Sequence, residues 1–438
     1  MSEPPHPWQR LASRARRLLT TNPFAVPGTT PRIQRAMWLF WLDGLFISAS
    51  FSMVGSYLVL YALEFGATNT QIGLMSTIVS VASMLALLPG AHLAEKWLDP
   101  KRAVLIFSRG LGQSVWIALS LLPFALAGQP AVYGVMALRG ARSFAVQAAN
   151  PAWTTLSGQI VPPHLRGKYF ASRNIAKQIS ALLIVPLGGW LIDRLGFPLG
   201  YQLSFGLAAV MGFAALAAYA RIPFETPQRD QPPEESDAGK EIWENTTAQR
   251  NYWTFCATSV CWTFSVQFAA PFFSVYLVEV LGATAGIVGT LTAIQNLAAL
   301  PGQVLYGRWL DRRGIKWTYR LSGLIIPVLP WMWLLATGPW GILPVRIGTG
   351  FLYAGYNLAS FNMLLLITPR SHRTRYIALY RTIVQSAAAV APLLGGLVVE
   401  RFGFVPVFVV SGLGRLISGL LLQRFVHEPR AVSAPATS

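Results

Sequence analysis

The stretch PLGGWLIDRLGF at residues 186–197 returns 207 positions later as LLGGLVVERFGF at residues 393–404. Both copies close a long apolar run with the same Gly-x-x-x-acid-Arg-x-Gly pattern. The same shift relates polar residues inside other apolar runs, namely Arg139 to Arg346 and Asn150 to Asn357. Polar residues at matching depths in two membrane halves are typical of duplicated proteins that work by alternating access. The pattern therefore predicts two repeated membrane halves.

The repeat changes register nearer the start of each half. The run Gly-Ala-Thr at residues 66–68 recurs at residues 282–284, a shift of 216. The nine-residue difference between the shifts of 207 and 216 must fall between the two blocks of the repeat. We therefore expect an intervening loop or helix end to be shorter in the second half.

The composition leaves little water-facing surface. Hydrophobic residues make up 53% and charged residues only 12%, whereas a soluble domain carries about 25% charged residues. Twelve apolar stretches approach or exceed the length that crosses a bilayer, which is roughly 20 residues. These spans must be helices, because every backbone N–H and C=O in lipid needs an internal partner. We predict an all-α membrane protein with twelve transmembrane helices in two pseudo-symmetric six-helix bundles.

This prediction divides the chain into five parts. They are a basic cytoplasmic tail (1–35), an N-terminal bundle (36–220), a cytoplasmic linker (221–251), a C-terminal bundle (252–425) and a short cytoplasmic tail (426–438). The linker is polar, close to neutral and carries prolines, which is typical of a connection outside the membrane.

Positive charge is concentrated on one side of the predicted bundles. The net charge is +18, and basic residues crowd the N-terminal tail and the even-numbered connections. Odd-numbered connections carry only Arg194 and Arg401, each beside an acid. Because basic loops stay in the cytoplasm, we expect both termini to be cytoplasmic and the protein to lie in the plasma or inner membrane. The same distribution argues against nucleic-acid binding.

The run GRWLDRRGIK at residues 307–316 follows the eighth predicted span. It resembles the loop signature of the major facilitator superfamily. Gly307 would let a neighbouring helix approach closely, and Gly314 would end its own helix in a tight turn. Asp311 would accept hydrogen bonds from the N-terminus of a helix in the other bundle, and Arg312 would pair with nearby acids or carbonyls. Together they predict a latch that closes the cytoplasmic side.

Three further runs share parts of this pattern. The first half carries a reduced copy with Glu95 and Lys96, in which the turn glycine is missing. The runs after the fifth and eleventh spans carry two acid–arginine pairs, Asp193-Arg194 and Glu400-Arg401. The charge distribution places these two pairs on the outer side. We therefore predict one pair of gating latches on each side of the membrane.

Arginines lie deep in two equivalent spans. Arg346 is followed by a glycine four residues later, and this pattern resembles the family's fourth-span motif, which is linked to proton coupling. Its repeat partner Arg139 has Ser143 in place of the glycine. Helical spacing puts Arg139, Arg142 and Asn150 on one face, and Arg346 and Asn357 on another. An arginine near mid-span costs roughly 2.5–3.5 kcal/mol, so it should face a cavity or a partner. The alternative is an internal salt bridge that orders the bundle.

Asp43 is the acid predicted to lie well inside a span, and Arg109 and Arg142 lie at accessible depths. A buried carboxylate balanced between burial and a nearby arginine could load and unload a transported proton. The alternative is a permanent ion pair between Asp43 and Arg109 or Arg142. Asp43, Arg109, Arg139, Arg142, Asn150, Arg346 and Asn357 are the candidate substrate and proton pathway.

The resemblance implies a secondary transporter, with spans one, four, seven and ten lining a central cavity. We expect no enzyme activity, no cofactor, no metal site and no nucleotide binding, since the chain has no Walker A run. The expected partners are a small-molecule solute, protons and the lipid bilayer, and we expect a monomer.

The solute class is open between two alternatives. Interior arginines outnumber Asp43, which favours an anionic or polyhydroxylated solute moved with protons. Three features would instead suit efflux of drugs or lipophilic cations: Asp43, the aromatic residues Trp38, Trp41, Trp262 and Phe264, and a proline–glycine motif at residues 392–396. That motif resembles one found in the family's proton antiporters. A third alternative is a membrane sensor or lipid-handling protein on the same fold that transports nothing.

Overall fold

The computed structural model describes residues 30–92, 99–223, 246–368 and 373–426. Within those ranges the chain is helical and has no strand, and it forms twelve helical segments. They are α1 (Pro31–Glu64), α2 (Asn69–His92), α3 (Pro100–Ala125), α4 (Gly128–Ala148, continued by Asn150–Ile160), α5 (Arg166–Leu195), α6 (Leu199–Ala220), α7 (Thr246–Ala269, continued by Phe272–Glu279), α8 (Ala285–Arg313), α9 (Ile315–Ile325, continued to Leu329–Trp333), α10 (Pro339–Ile367), α11 (Arg373–Phe402) and α12 (Phe404–Phe425).

The helical fold class is confirmed. Among the described residues, eight segments are long and apolar enough to cross a membrane: α1, α3, α5, α6, α7, α10, α11 and α12. The count of twelve spans stays a prediction for α2, α4, α8 and α9. Most of the predicted tails and most of the predicted linker fall outside the described residues, although residues 31–35 of the predicted N-terminal tail already belong to α1.

The helix pairs repeat from one half to the other. In the first half α1 packs against α5 and α6, and α2 packs against α4; in the second half α7 packs against α11 and α12, and α8 against α10. Two extensive contacts join the halves, α5 with α8 and α11 with α2. Exchanging the halves turns one of these contacts into the other, as pseudo-two-fold symmetry requires.

The nine-residue difference between the repeats lies around the third helix of each half. Helix α3 runs from Pro100 to Ala125, whereas its counterpart α9 is shorter and runs from Ile315 to Trp333, with Gly314 alone between α8 and α9. Gly314 has φ 84° and its N–H donates to Leu310 O at 3.0 Å, so it closes α8 and turns the chain at once. This left-handed conformation strongly favours glycine.

Helix α4 is interrupted next to Asn150. The first part of α4 ends at Ala148, and a second helix starts at Asn150 with Pro151 in its first turn. Proline has no N–H to donate to the preceding turn, so the break falls there. Asn150 is exposed at the start of the second helix, and its place on the face of Arg139 and Arg142 stays a prediction.

Candidate functional site

Asp43 lies at the centre of a buried ion cluster in the first half. Arg109 donates from Nε to Oδ1 at 2.6 Å and from Nη2 to Oδ2 at 2.9 Å, a bidentate pair. Arg173 donates from Nη2 to Oδ2 at 3.2 Å. Asp43 is fully buried, and both arginines are about 95% buried. We call these three residues the ion cluster; it ties α1, α3 and α5 together.

Local structure positions both arginines of the ion cluster. Arg109 lies in a π-helical segment, Val104–Leu111, within α3; wide turns of this kind are frequent at functional sites. The N–H of Arg173 Nε donates to Phe40 O at 3.3 Å, and its guanidinium lies 4.5 Å from the ring centroid of Phe40. Gly44 leaves the space that the Arg173 side chain occupies.

The sequence prediction for this cluster was right in one part and incomplete in another. It named Arg109 and Arg142 as alternative partners of Asp43, and the structure pairs Asp43 with Arg109. It did not name Arg173, because the apolar run of the fifth span starts only after that residue. Helix α5 begins at Arg166, so Arg173 lies two turns inside it. Arg173 directly precedes that apolar run, and this position was the signal that could have revealed it.

Arg142 instead lies between two aromatic rings. Its guanidinium is 4.1 Å from the ring centroid of Trp116 on α3 and 5.6 Å from that of Phe51 on α1. Among the described residues, Nε of Arg142 and Nη1 of its neighbour Arg139 are buried atoms without a hydrogen-bond partner. These two arginines are therefore without a compensating carboxylate in the part of the chain that the structure describes.

The second half contains two comparable arginines. Arg346 donates from Nη1 to Gln295 Oε1 at 2.8 Å and lies 5.1 Å from the ring centroid of Trp333. Arg415 on α12 donates from Nη1 to Tyr353 Oη at 3.2 Å. Three buried atoms of these side chains have no hydrogen-bond partner within the described ranges, namely Nε of Arg346 and both Nε and Nη2 of Arg415. Asn357, about one helical turn beyond Tyr353, is exposed.

Two acids join the halves at the end predicted to face outward. Oδ2 of Asp193, at the end of α5, accepts from Gly286 N at 2.9 Å and Thr284 Oγ1 at 2.6 Å, so it caps α8. Oε2 of Glu400, near the end of α11, accepts from Thr70 N at 3.0 Å, in the first turn of α2. An acid at a helix N-terminus is stabilised by the unpaired N–H groups there. We call these contacts the outer latches.

Glycines let the backbones approach at both outer latches. A Cβ atom at Gly189 would collide with the backbone of Ala285, and one at Gly396 would collide with the backbone of Asn69. Small residues permit this kind of close helix contact. Arg194 and Arg401 follow the latch acids and are exposed. A cavity of about 480 Å³ lies beside the Asp193 latch and is lined, among others, by Leu63, Glu64 and Glu279.

The predicted cytoplasmic latch is not made in this conformation, as far as the described residues extend. Asp311 and Arg312 are exposed, and neither bonds to another described residue. A Cβ atom added at Gly307 would meet no described atom beyond its own helix turn within 4 Å. The expected close approach of a neighbouring helix is therefore not seen among the described residues. Glu95 and Lys96 lie outside the described residues. Closure of that end by this run therefore stays a prediction.

Comparisons with known proteins agree with this architecture. A family model described as Major Facilitator Superfamily matches residues 40–269 and 254–438. The chain is 25% identical over 391 residues to the multidrug resistance protein MdtG of Dickeya zeae, covering 86% of this chain and 91% of that relative. It is 27% identical over 168 residues to the multi-drug resistance efflux pump PmrA homolog of Lactococcus lactis, covering 37% of this chain and only 41% of that relative.

Among solved structures, the fold is similar to that of a D-xylose-proton symporter. The TM-score is 0.72 at 15% identity, covering 90% of this chain and 98% of the symporter. The family model spans the chain from residue 40 to its end, which confirms the resemblance seen in residues 307–316. The chain therefore belongs to the Major Facilitator Superfamily and is an integral membrane transporter rather than an enzyme.

Proposed function

We propose that this transporter moves an organic anion by alternating access, with protons as the coupling ion. The observation that carries the proposal is the charge balance of the membrane interior. Both oxygens of Asp43 are taken up by Arg109 and Arg173. Arg139, Arg142, Arg346 and Arg415 keep buried N–H groups without partners among the described residues.

This imbalance favours binding of a negative charge. Burial of an ion without a partner costs several kcal/mol even after relaxation. Within the described ranges, every acid other than Asp43 lies at a helix end or in a connection: Glu64, Asp99, Asp193, Glu279, Asp311 and Glu400. An anionic solute would supply the missing charge. Polyhydroxylated solutes could use the same N–H donors, but they would leave the charge uncompensated.

The membrane potential is the reason for proposing that the anion moves together with a proton. Moving one charge against the potential costs about 2.3 kcal/mol per 100 mV, so an anion entering the cell with a proton avoids that cost. We assign Asp43 mainly to holding α1, α3 and α5 together, because two guanidinium groups already compensate its charge. The outer latches would open, and the run at residues 307–316 would close the other side, when the halves rock. In this scheme the termini are cytoplasmic and the monomer is the working unit.

Efflux of lipophilic cations is the second candidate function. It is favoured by the names of the relatives, which describe multidrug resistance proteins. A cation carrier needs an available interior carboxylate, and Asp43 would have to leave Arg109 to provide it. The charge balance therefore favours the anion carrier.

A transport assay separates the two candidates. The purified full chain is reconstituted into vesicles that contain a pH-sensitive dye, and organic anions, sugars and lipophilic cations are added in turn. We expect anions to drive proton movement, and we expect Arg142→Ala to abolish it. Arg424→Gln, at an exposed position near the end of α12, is the matched control and should leave transport unchanged. Proton movement driven by cations alone would overturn the proposal.

A further inference from the structure

The guanidinium of Arg142 lies close to two aromatic rings, and the charges acting on it are those of two other arginines, Arg139 and Arg109. Trp116 is 1% exposed and lies on one side of the guanidinium at 4.1 Å. Phe51 lies 5.6 Å away and is 53% exposed. Arg142 is thus held by the buried ring of Trp116, while much of the Phe51 ring beside it is uncovered.

A guanidinium stacked on a ring keeps its donors available. The cation–π contact uses the flat face of the group, whereas the N–H donors point outward in its plane and match the two oxygens of an acid group. The Nε of Arg142 is one such buried donor without a partner among the described residues. Asp43, the one interior acid among the described residues, is already held by Arg109 and Arg173.

The exposed ring of Phe51 lies next to the N–H donors of Arg142, and this arrangement favours a ligand that carries both an acid group and an apolar part. An acid group on Arg142 would place the adjoining part of the ligand near Phe51. Aromatic pairs prefer offset or edge-to-face contact, with a gain beyond the burial of area. The family fold places α1 and α4, which carry Phe51 and Arg142, on the central cavity. A small hydrophilic anion would leave the Phe51 ring without a contact.

We propose that the transported solute is an aromatic organic anion whose acid group binds Arg142 and whose ring packs against Phe51. This inference rests on the proposed function and narrows it, because it assigns a site and a chemical class to the anion. Arg139 adds positive charge on the same helix but makes no cation–π contact with a described ring, so we place the acid group on Arg142.

Two sulfonates of equal charge and similar size provide the test. Benzenesulfonate and cyclohexanesulfonate are permanently ionised, so neither leaks through the lipid as a neutral acid. Uptake of each is measured in vesicles containing the full chain. We expect benzenesulfonate to show the lower KM, by about fivefold, which is the size of an aromatic contact. Phe51→Leu keeps an apolar side chain but removes the ring, and should abolish that preference.

The control variant is Phe124→Leu, which changes a phenylalanine that is 77% exposed near the end of α3. It should leave both KM values unchanged. Equal KM values for the two sulfonates, with no change in Phe51→Leu, would overturn the aromatic site and leave the anion carrier standing. No uptake of either sulfonate or of any other anion, together with uptake of cations, would overturn the anion carrier and this inference together.

Discussion

The two halves of the molecule share one helical frame but fill it with different chemistry. In the first half, ion pairs among Asp43, Arg109 and Arg173 join α1, α3 and α5. In the second half, the position 207 residues after Arg173 is Tyr380. The Tyr380 ring stacks on Phe255 with a centroid distance of 5.4 Å. An ion pair in one half thus corresponds to a neutral ring contact in the other.

The neutral ring contacts of the second half extend through a further group of aromatic residues. Tyr319 donates from its hydroxyl to Tyr356 Oη at 2.8 Å, and Trp262 stacks on Tyr356 at 4.2 Å. These contacts join α7, α9 and α10. The comparison teaches that duplication preserved which helices pack together, whereas the groups that hold them together diverged. The ion cluster of the first half and the neutral ring contacts of the second half should therefore respond differently to the same kind of substitution.

Removal of the carboxylate should have the largest effect. Asp43→Asn leaves Arg109 and Arg173 buried without their charge partner, and we expect the free energy of unfolding to fall by about 3–5 kcal/mol. The measurement is reversible unfolding in mixed detergent micelles. Asp311→Asn, at an exposed acid without a hydrogen bond to another described residue, is the control and should change stability little. Equal stability of both variants would contradict a structural role for the ion cluster.

Exchange of the equivalent residues should have the next largest effect. Tyr380→Arg places a guanidinium in a half with no interior acid among the described residues, and we expect a loss of about 2.5–3.5 kcal/mol. The reverse change, Arg173→Tyr, should cost less, because Arg109 still compensates Asp43. The same unfolding assay compares the two. Equal losses would show that the two interiors tolerate charge alike.

Loss of one hydroxyl among the ring contacts of the second half should have a smaller effect on the free energy of unfolding. Tyr319→Phe removes the hydrogen bond to Tyr356 but keeps the ring, so we expect a loss of about 1 kcal/mol. Tyr133→Phe, at a position that is 57% exposed, serves as the control and should be neutral. A loss as large as that of Asp43→Asn would mean that the hydroxyl network, rather than ring packing, carries the stability of this half.

The outer latches should show the smallest difference between the halves. Asp193 accepts two hydrogen bonds and Glu400 one. Asp193→Asn should therefore favour opening of the outer end more than Glu400→Gln does. The expected difference is small, because a charge at a helix N-terminus contributes only about 0.3–1 kcal/mol and solvent screens these exposed groups.

The readout for the latches is the rate at which an impermeant maleimide labels Leu63→Cys, beside the cavity next to Asp193. Cys256 and Cys261 are first replaced by serine. The starting chain with intact latches is the reference. Faster labelling in Glu400→Gln than in Asp193→Asn would reverse the assigned order of the two latches.

Much of the fold was accessible from the sequence because its causes are local and repetitive. Apolar length predicts helices in lipid, and the repeat predicts which helices are equivalent. The latch acids Asp193 and Glu400 were predicted from a turn pattern at a helix end, where the chemistry depends on a few adjacent residues. Arg173 was missed and Arg142 was assigned a possible partner that it does not have, because side-chain pairing depends on the rotation of separate helices about their axes.

The sequence by itself determined the helical class, the duplication and the excess of positive charge in the interior, since these depend on composition and periodicity. Only the tertiary structure decided which arginines compensate Asp43, which keep unpaired donors, and which end of the molecule is latched. Those properties arise from distances of a few ångströms between side chains that are far apart in the sequence, such as Asp43 and Arg109, which are 66 residues apart. Electrostatic and hydrogen-bond energies change steeply over such distances, whereas a periodic pattern specifies only the face on which a residue lies.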